Sequence, residues 1–259
     1  MVSDPSSVPR RKIEYVIFDM DGLLIDTERV YTEVTNDILA PYGKTMTWDI
    51  KAGLMGKLER DAAELLLSFF PDIPLTVDTY LSLRRDAQDA RWPTVQPLPG
   101  ARRLIKHLHA HNIPIALATA SQRRNLLLKT AHLGDMFGAF GARVVCADDV
   151  AGKTRGKPEP YIFLCAARER LGRGVGEGEV EACGEDGEEW RERARGLVFE
   201  DAIPGVEAGK RAGMSVVWVP DANLLNVEYS GAHLPDQTLK SLEEFVPEEW
   251  GLPPYDETQ

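Results

Sequence analysis

A chain of 259 residues that is 43% hydrophobic can bury one large core or two modest ones. Lys and Arg number 30 against 41 Asp and Glu, for a formal charge of −11. That balance argues against a nucleic-acid partner, which requires a Lys/Arg surface, and no apolar run approaches the ~18 residues of a membrane helix, so neither nucleic acid nor a membrane is an expected partner. Residues 1–10 are Ser- and Pro-rich, lack the apolar stretch of a secretory signal, and are expected to be disordered, as are residues 254–259. Cys146, Cys165 and Cys183 are unpatterned, which suits a reducing, cytoplasmic setting rather than a disulfide framework or a zinc site.

The first element is the apolar run at residues 15–18, which reads as a buried strand and ends in Asp19-Met20-Asp21-Gly22. Residues 30–97 carry helical patterns only: Val30, Val34, Ile38 and Leu39 on one face, then Leu58, Ala62, Leu65, Leu66 and Phe69 on another. A further helix is expected around residues 77–90, and the Pro-rich stretch 92–100 returns the chain. Strand-like runs follow at 113–118, 143–146, 197–199 and 215–219, with helical patterns between them. In one of these Leu126, Leu127 and Thr130 share a face. In another, Pro158 fits the first turn of a helix carrying Tyr161, Leu164, Cys165 and Arg168. Pro204 opens the helix that Gly213 closes. Residues 172–195 read as a flexible acidic loop; within it, residues 174–189 hold seven carboxylates and no Lys or Arg. The fold class is therefore α/β: a Rossmann-like parallel-sheet core from residues 11–29 and 98–245, with an all-helical insertion at 30–97 that is either a packing subdomain or a cap.

Two carboxylates at a strand end can divide labour, Asp19 attacking while Asp21 handles a proton; the alternative is an acidic turn in which Asp26 or Thr27 caps the next helix. Thr119, with the amides of Ala120 and Ser121, can hold phosphoryl oxygens, or Thr119 can simply cap the helix from Gln122. Lys157 can neutralise Asp19 and an incoming phosphoryl group, or be an exposed lysine in a Gly/Pro turn. Glu200 and Asp201 can join Asp19 in holding a hard divalent cation such as Mg²⁺, or form a capping turn before Pro204. In the helical insertion Trp48, Lys51 and Lys57 lie near the Gly53-Leu54-Met55-Gly56 turn, where Lys57 can meet a polar substrate group or stay solvated. His107, His109 and His111 sit at a helix end and favour its dipole; at two-residue spacing they do not share a face.

The order Asp-x-Asp-Gly, Thr119, Lys157, Glu200-Asp201 resembles the haloacid dehalogenase-like phosphohydrolases, in their capped, β-phosphoglucomutase-like subgroup. The stretches 18–24, 48–57, 156–160, 198–202, 213–214 and 247–253 resemble a eukaryotic branch containing pseudouridine 5'-phosphatases and plant-type glycerol-3-phosphatases. The similarity spans nearly the whole chain except residues 1–10 and a stretch near 172–195. It implies a Mg²⁺-dependent phosphatase acting on a small phosphorylated metabolite through a phospho-aspartate on Asp19. It also implies that the main-chain carbonyl of Asp21 is a metal ligand and that Glu200 acts at one remove or through water. The acid at position 21 separates phosphatases of this superfamily from its dehalogenases. A phosphomutase and a catalytically idle scaffold are the alternatives, and a monomer is expected.

Overall fold

The computed structural model describes residues 12–54, 59–150, 152, 156–178, 187–226 and 229–256. Six parallel strands form one sheet in the order β3-β2-β1-β4-β5-β6. They are β1 (Tyr15–Phe18), β2 (Ile115–Ala118), β3 (Val144–Val145), β4 (Gly196–Glu200), β5 (Ser215–Trp218) and β6 (Gln237–Thr238). The helices in chain order are α1 (Thr27–Leu39), α2 (Trp48–Leu54), α3 (Glu59–Ser68), α4 (Val77–Arg91), α5 (Ala101–Ala110), α6 (Arg123–Thr130), α7 (Gly134–Phe137), α8 (Ala147–Val150), α9 (Tyr161–Cys165), α10 (Glu188–Arg193) and α11 (Ile203–Arg211).

Strands β1, β2, β4 and β5 are buried on both faces, so they read as continuous apolar runs. Alternate residues feed two cores. Val16, Phe18, Leu117, Leu197, Phe199 and Val217 point to one side, and Tyr15, Ile17, Ala116, Ala118, Val198 and Val216 to the other. Phe18 and Phe199 stack across the β1–β4 pair with ring centroids 5.0 Å apart. The register sets Phe18 opposite both Leu117 and Phe199, so the residues that follow β1, β2 and β4 emerge side by side.

Among the described residues 27–94 no strand occurs, as the sequence pattern predicts. These helices enclose a small core of their own, built from Leu39, Met46, Ala63, Leu66, Leu75 and Tyr80. The two chain crossings between it and the sheet pair with each other: the amide of Asp26 donates to the carbonyl of Gln96 at 2.9 Å, and that of Leu98 to Leu24 at 2.9 Å.

Several boundaries differ from the sequence reading. Helix α1 begins at Thr27, because the Asp26 carboxylate caps it by accepting from the amide of Arg29 at 3.2 Å. Residues 27–29, assigned to the core, are thus already in the first helix. Gly53 and Leu54, read as a turn, end helix α2. Pro158 lies ahead of α9, in a turn closed by the amide of Glu159 on the carbonyl of Gly156, and Pro160 precedes the helix instead. In α6, Leu126 is buried but Leu127 is 61% exposed. The stretch 172–195 is not all loop. Its end forms α10, and the buried Arg193 donates from Nε to the carbonyl of Val175 (2.5 Å) and from Nη1 to that of Gly178 (2.8 Å). The core does not stop at 245: Trp250 and Leu252 are buried and Tyr255 packs against them, so residues 254–256 are ordered on the core.

Candidate active site

Asp19 follows β1 and is 4% exposed, its amide donating to the carbonyl of Phe199 at 3.1 Å. On the neighbouring strand Glu200 ends β4, and Asp201 follows it. Oxygens of Asp19, Glu200 and Asp201 lie within 4.8 Å of one another. Lys157 reaches in from the loop before α9 and pairs with both Asp19 and Glu200. Glu200 is fixed from its other oxygen, which accepts from the amides of Asp201 (3.0 Å) and Ala202 (3.2 Å) at the start of α11. Two glycines make room for this packing. Gly22, at φ +77°, passes so close to Asp201 that a Cβ would strike its carboxylate, and a Cβ on Gly205 would run into that of Glu200.

Three carboxylates thus share one ammonium. Burial pushes the Asp19 carboxyl up to about 7; Lys157 pulls against this, while Glu200 and Asp21 add to it. Burial, with Glu200, Asp19 and Glu28 adding, also lifts Asp201 well above the usual carboxylate range. Burial works against the charge on Lys157, but Asp19 and Glu200 outweigh it and hold the amine protonated. The excess of buried negative charge and the all-oxygen donor set suit a hard divalent cation. The main-chain carbonyl of Asp21 is the further ligand that the sequence resemblance implies.

Asp21 faces a different partner. Its carboxylate accepts from Lys129 Nζ at 2.6 Å and from the Ser121 hydroxyl at 2.7 Å, with the Thr119 hydroxyl 3.4 Å away. Burial favours its neutral form, but the Lys129 ammonium outweighs this and holds Asp21 below the usual carboxylate range. The Thr119 hydroxyl accepts from the amide of Ser121 at 3.0 Å, so it caps its own loop, while Gln122 precedes α6 without a side-chain cap. Ala120 is exposed in this loop. Asp19, Asp21, Thr119, Ser121, Lys157, Glu200 and Asp201 therefore converge at one sheet edge, as the strand-end argument predicts. Lys57 lies outside the described residues.

Lys129 is the residue that sequence reasoning missed. It is 1% exposed, lies 3.0 Å from the Ser121 hydroxyl and 3.3 Å from the Tyr31 hydroxyl, and sits over the Trp92 ring at 4.4 Å. Its signal was present, since Leu126, Lys129 and Leu133 follow a three-to-four-residue spacing, but a lysine in an apolar stripe is read by default as solvated. Tyr31 comes from α1 and also lines a cavity of about 210 Å³ with Glu28, Lys51, Glu59 and Arg84. Lys51 lies 3.0 Å from Glu28 there, and Trp48 carries Lys51 at 5.8 Å from its ring.

Residues 13–213 match the family described as "Hydrolase: haloacid dehalogenase-like hydrolase". The chain is 42% identical to the (DL)-glycerol-3-phosphatase 2 of Arabidopsis thaliana, over 99% of this chain and 100% of that protein. It is 39% identical to the "Probable pseudouridine-5'-phosphatase" of Drosophila melanogaster, over 95% of this chain and 96% of the relative. A crystal structure of a HAD family hydrolase from Deinococcus radiodurans R1, with bound phosphate and sodium, shares the fold at a TM-score of 0.71 and 24% identity, covering 93% of this chain and 98% of that one.

Proposed function

This chain belongs to the haloacid dehalogenase-like hydrolases, and from that membership we propose that it hydrolyses the phosphoric monoester of a small metabolite through Asp19. The observation that carries the reading is the pairing of two aspartates, two residues apart, with different lysines. Asp19 is held by Lys157 within the carboxylate cluster, and Asp21 by Lys129 outside it.

Asp19 attacks phosphorus while the phosphoryl oxygens rest on Lys157, on the Thr119 hydroxyl and on the amides of Ala120 and Ser121. Asp21 gives a proton to the leaving alkoxide and takes one from the water that opens the phospho-aspartate, so it ends as it began. To donate, Asp21 must first collect a proton and loosen its hold on Lys129. Asp19, Asp201 and the main-chain carbonyl of Asp21 would hold Mg²⁺, with Glu200 at one remove. A cation bound there would supply positive charge that shields the attacking carboxylate from the phosphate dianion. The helices of residues 30–97 act as the cap, and Lys51, Lys57 and Trp48 recognise the part of the substrate that does not react. The separate apolar core of these helices and the paired crossings at Asp26–Gln96 and Leu24–Leu98 support a unit that can tilt as one body. Cys146 and Cys165 are buried free thiols, in keeping with a reducing, cytosolic setting.

The named relatives make glycerol 3-phosphate and pseudouridine 5'-phosphate the first substrates to try, and they favour hydrolysis over phosphoryl isomerisation. The test is phosphate release from a panel of polyol, nucleoside and sugar monophosphates with Mg²⁺. Release from one or a few members supports the phosphatase. An isomerised sugar phosphate without release would make it a mutase, and silence across the panel would leave a scaffold.

A further inference from the structure

His107 lies in the last turn of α5, and His111, four residues on, is the residue that ends the helix, its amide donating to the carbonyl of His107 at 3.1 Å. His107 is fully buried, and its ring lies 4.5 Å from that of His111. Asp256, from the C-terminal segment, sets a carboxylate oxygen 3.6 Å from His111 Nε2. One donor atom from each of the three residues lies within 4.8 Å of the others.

The proton on His107 can be placed. Its Nε2 lies 2.9 Å from the carbonyl oxygen of Pro253, and a carbonyl can only accept, so Nε2 carries the hydrogen. In the neutral ring that leaves Nδ1 as a bare lone pair. Nδ1 is buried and has no hydrogen-bond partner among the described residues. A buried acceptor without a partner is costly, and water or a protein donor is the usual remedy. A metal ion is another remedy. A histidine that binds metal through one ring nitrogen typically donates the other N–H to a carboxylate or a main-chain carbonyl, which fixes the tautomer and the ring plane.

We propose that His107 Nδ1, His111 and Asp256 form a binding site for a zinc-class divalent cation, with water completing its shell. Two imidazoles and one carboxylate are a zinc donor set, and nitrogen donors separate it chemically from the all-oxygen cluster around Asp19. Bonds of about 2.0–2.2 Å in a tetrahedron put donor atoms roughly 3.4 Å apart. The His111–Asp256 pair, at 3.6 Å, is already near that spacing. His111 and Asp256 keep side-chain exposures of 32% and 50%, which gives the ion a way in and lets these two side chains close on the buried ring. Helix α5 leads into β2, so its C-terminal end faces the edge of the sheet opposite the one that carries Asp19. The site is therefore structural: it ties residues 253–256 to α5.

The test uses the full-length protein, stripped with chelator and then held in excess Mg²⁺ so that the carboxylate cluster is filled. Zn²⁺ is titrated calorimetrically into the wild type and into His111→Ala and Asp256→Asn, both of which spare the buried His107. The wild type should bind one equivalent of Zn²⁺, and each variant should bind at least about tenfold more weakly. Zn²⁺ at a hundredfold excess over Kd should raise the melting temperature of the wild type by about 5–10 °C and that of the variants by much less. Mg²⁺-supported phosphatase activity, where present, should be the same in all three proteins, which keeps this result separate from the fate of the proposed function. Equal Zn²⁺ affinity in the wild type and both variants, or no zinc-dependent rise in the melting temperature, would overturn the proposal.

Discussion

Asp19 and Asp21 are two residues apart and yet sit in opposite electrostatic surroundings, and each makes a prediction. Burial raises Asp19 to about 7. A group whose folded pKa is raised contributes stability that is fully present below its unfolded value of about 3.9 and is lost as pH rises through 7. The chelated protein should therefore lose melting temperature between pH 4 and 8, and Mg²⁺ should stabilise it more at pH 8 than at pH 5, because proton and cation compete for the same carboxylates. Asp19→Asn should flatten that dependence; an unchanged slope in this variant would refute the assignment. Among the described residues, Lys129 is the ammonium that pairs with the Asp21 carboxylate. Replacing it with methionine leaves a half-buried carboxylate without its ammonium and should cost about 1–3 kcal/mol in denaturant unfolding. Adding Asp21→Asn to that variant should restore part of the loss, whereas strictly additive losses would mean that the two residues are not coupled. The Asp-x-Asp pair was legible in the sequence because it follows an apolar strand. Lys129 was harder to read: its place in the Leu126, Lys129, Leu133 stripe hints at burial, but its partner lies 108 positions away.

The elements follow from simple patterns where burial is complete. Strands β1, β2, β4 and β5 are apolar on both faces and were legible. Strand β6 was not: it is the two polar residues Gln237–Thr238 at the sheet edge, where no apolar run is needed. The acidic stretch shows the opposite error, since composition suggested loop through 195 while Arg193 anchors its end. Arg193→Ala should cost about 1–3 kcal/mol by stranding the carbonyl of Val175 and opening a void, measured by urea unfolding. No change in stability would restore the loop reading. Helix α11 offers a sharper test. Alanine is the better helix former by about 1 kcal/mol, so propensity alone predicts that Gly205→Ala stabilises. The Glu200 carboxylate occupies the space a Cβ needs, so the substitution should instead destabilise by about 1–3 kcal/mol and lower activity with it.

At the scale of the whole molecule the parallel sheet does the assembling. It brings residues from positions 19 to 201 to one edge, and the crossings at Asp26 and Leu98 hang the helical segment above them. Among the described residues no helix is long and apolar enough to cross a membrane. The central claim is that Asp19 takes the phosphoryl group onto itself. The most direct measurement is a rapid acid quench of the Mg²⁺-loaded protein turning over a monoester labelled in its phosphoryl group, followed by location of the label on the chain. A hydroxylamine-labile label should appear on Asp19 and be absent from Asp19→Asn, which should also have lost turnover. Turnover with no label on the protein, or retention of substantial activity by Asp19→Asn, would contradict it.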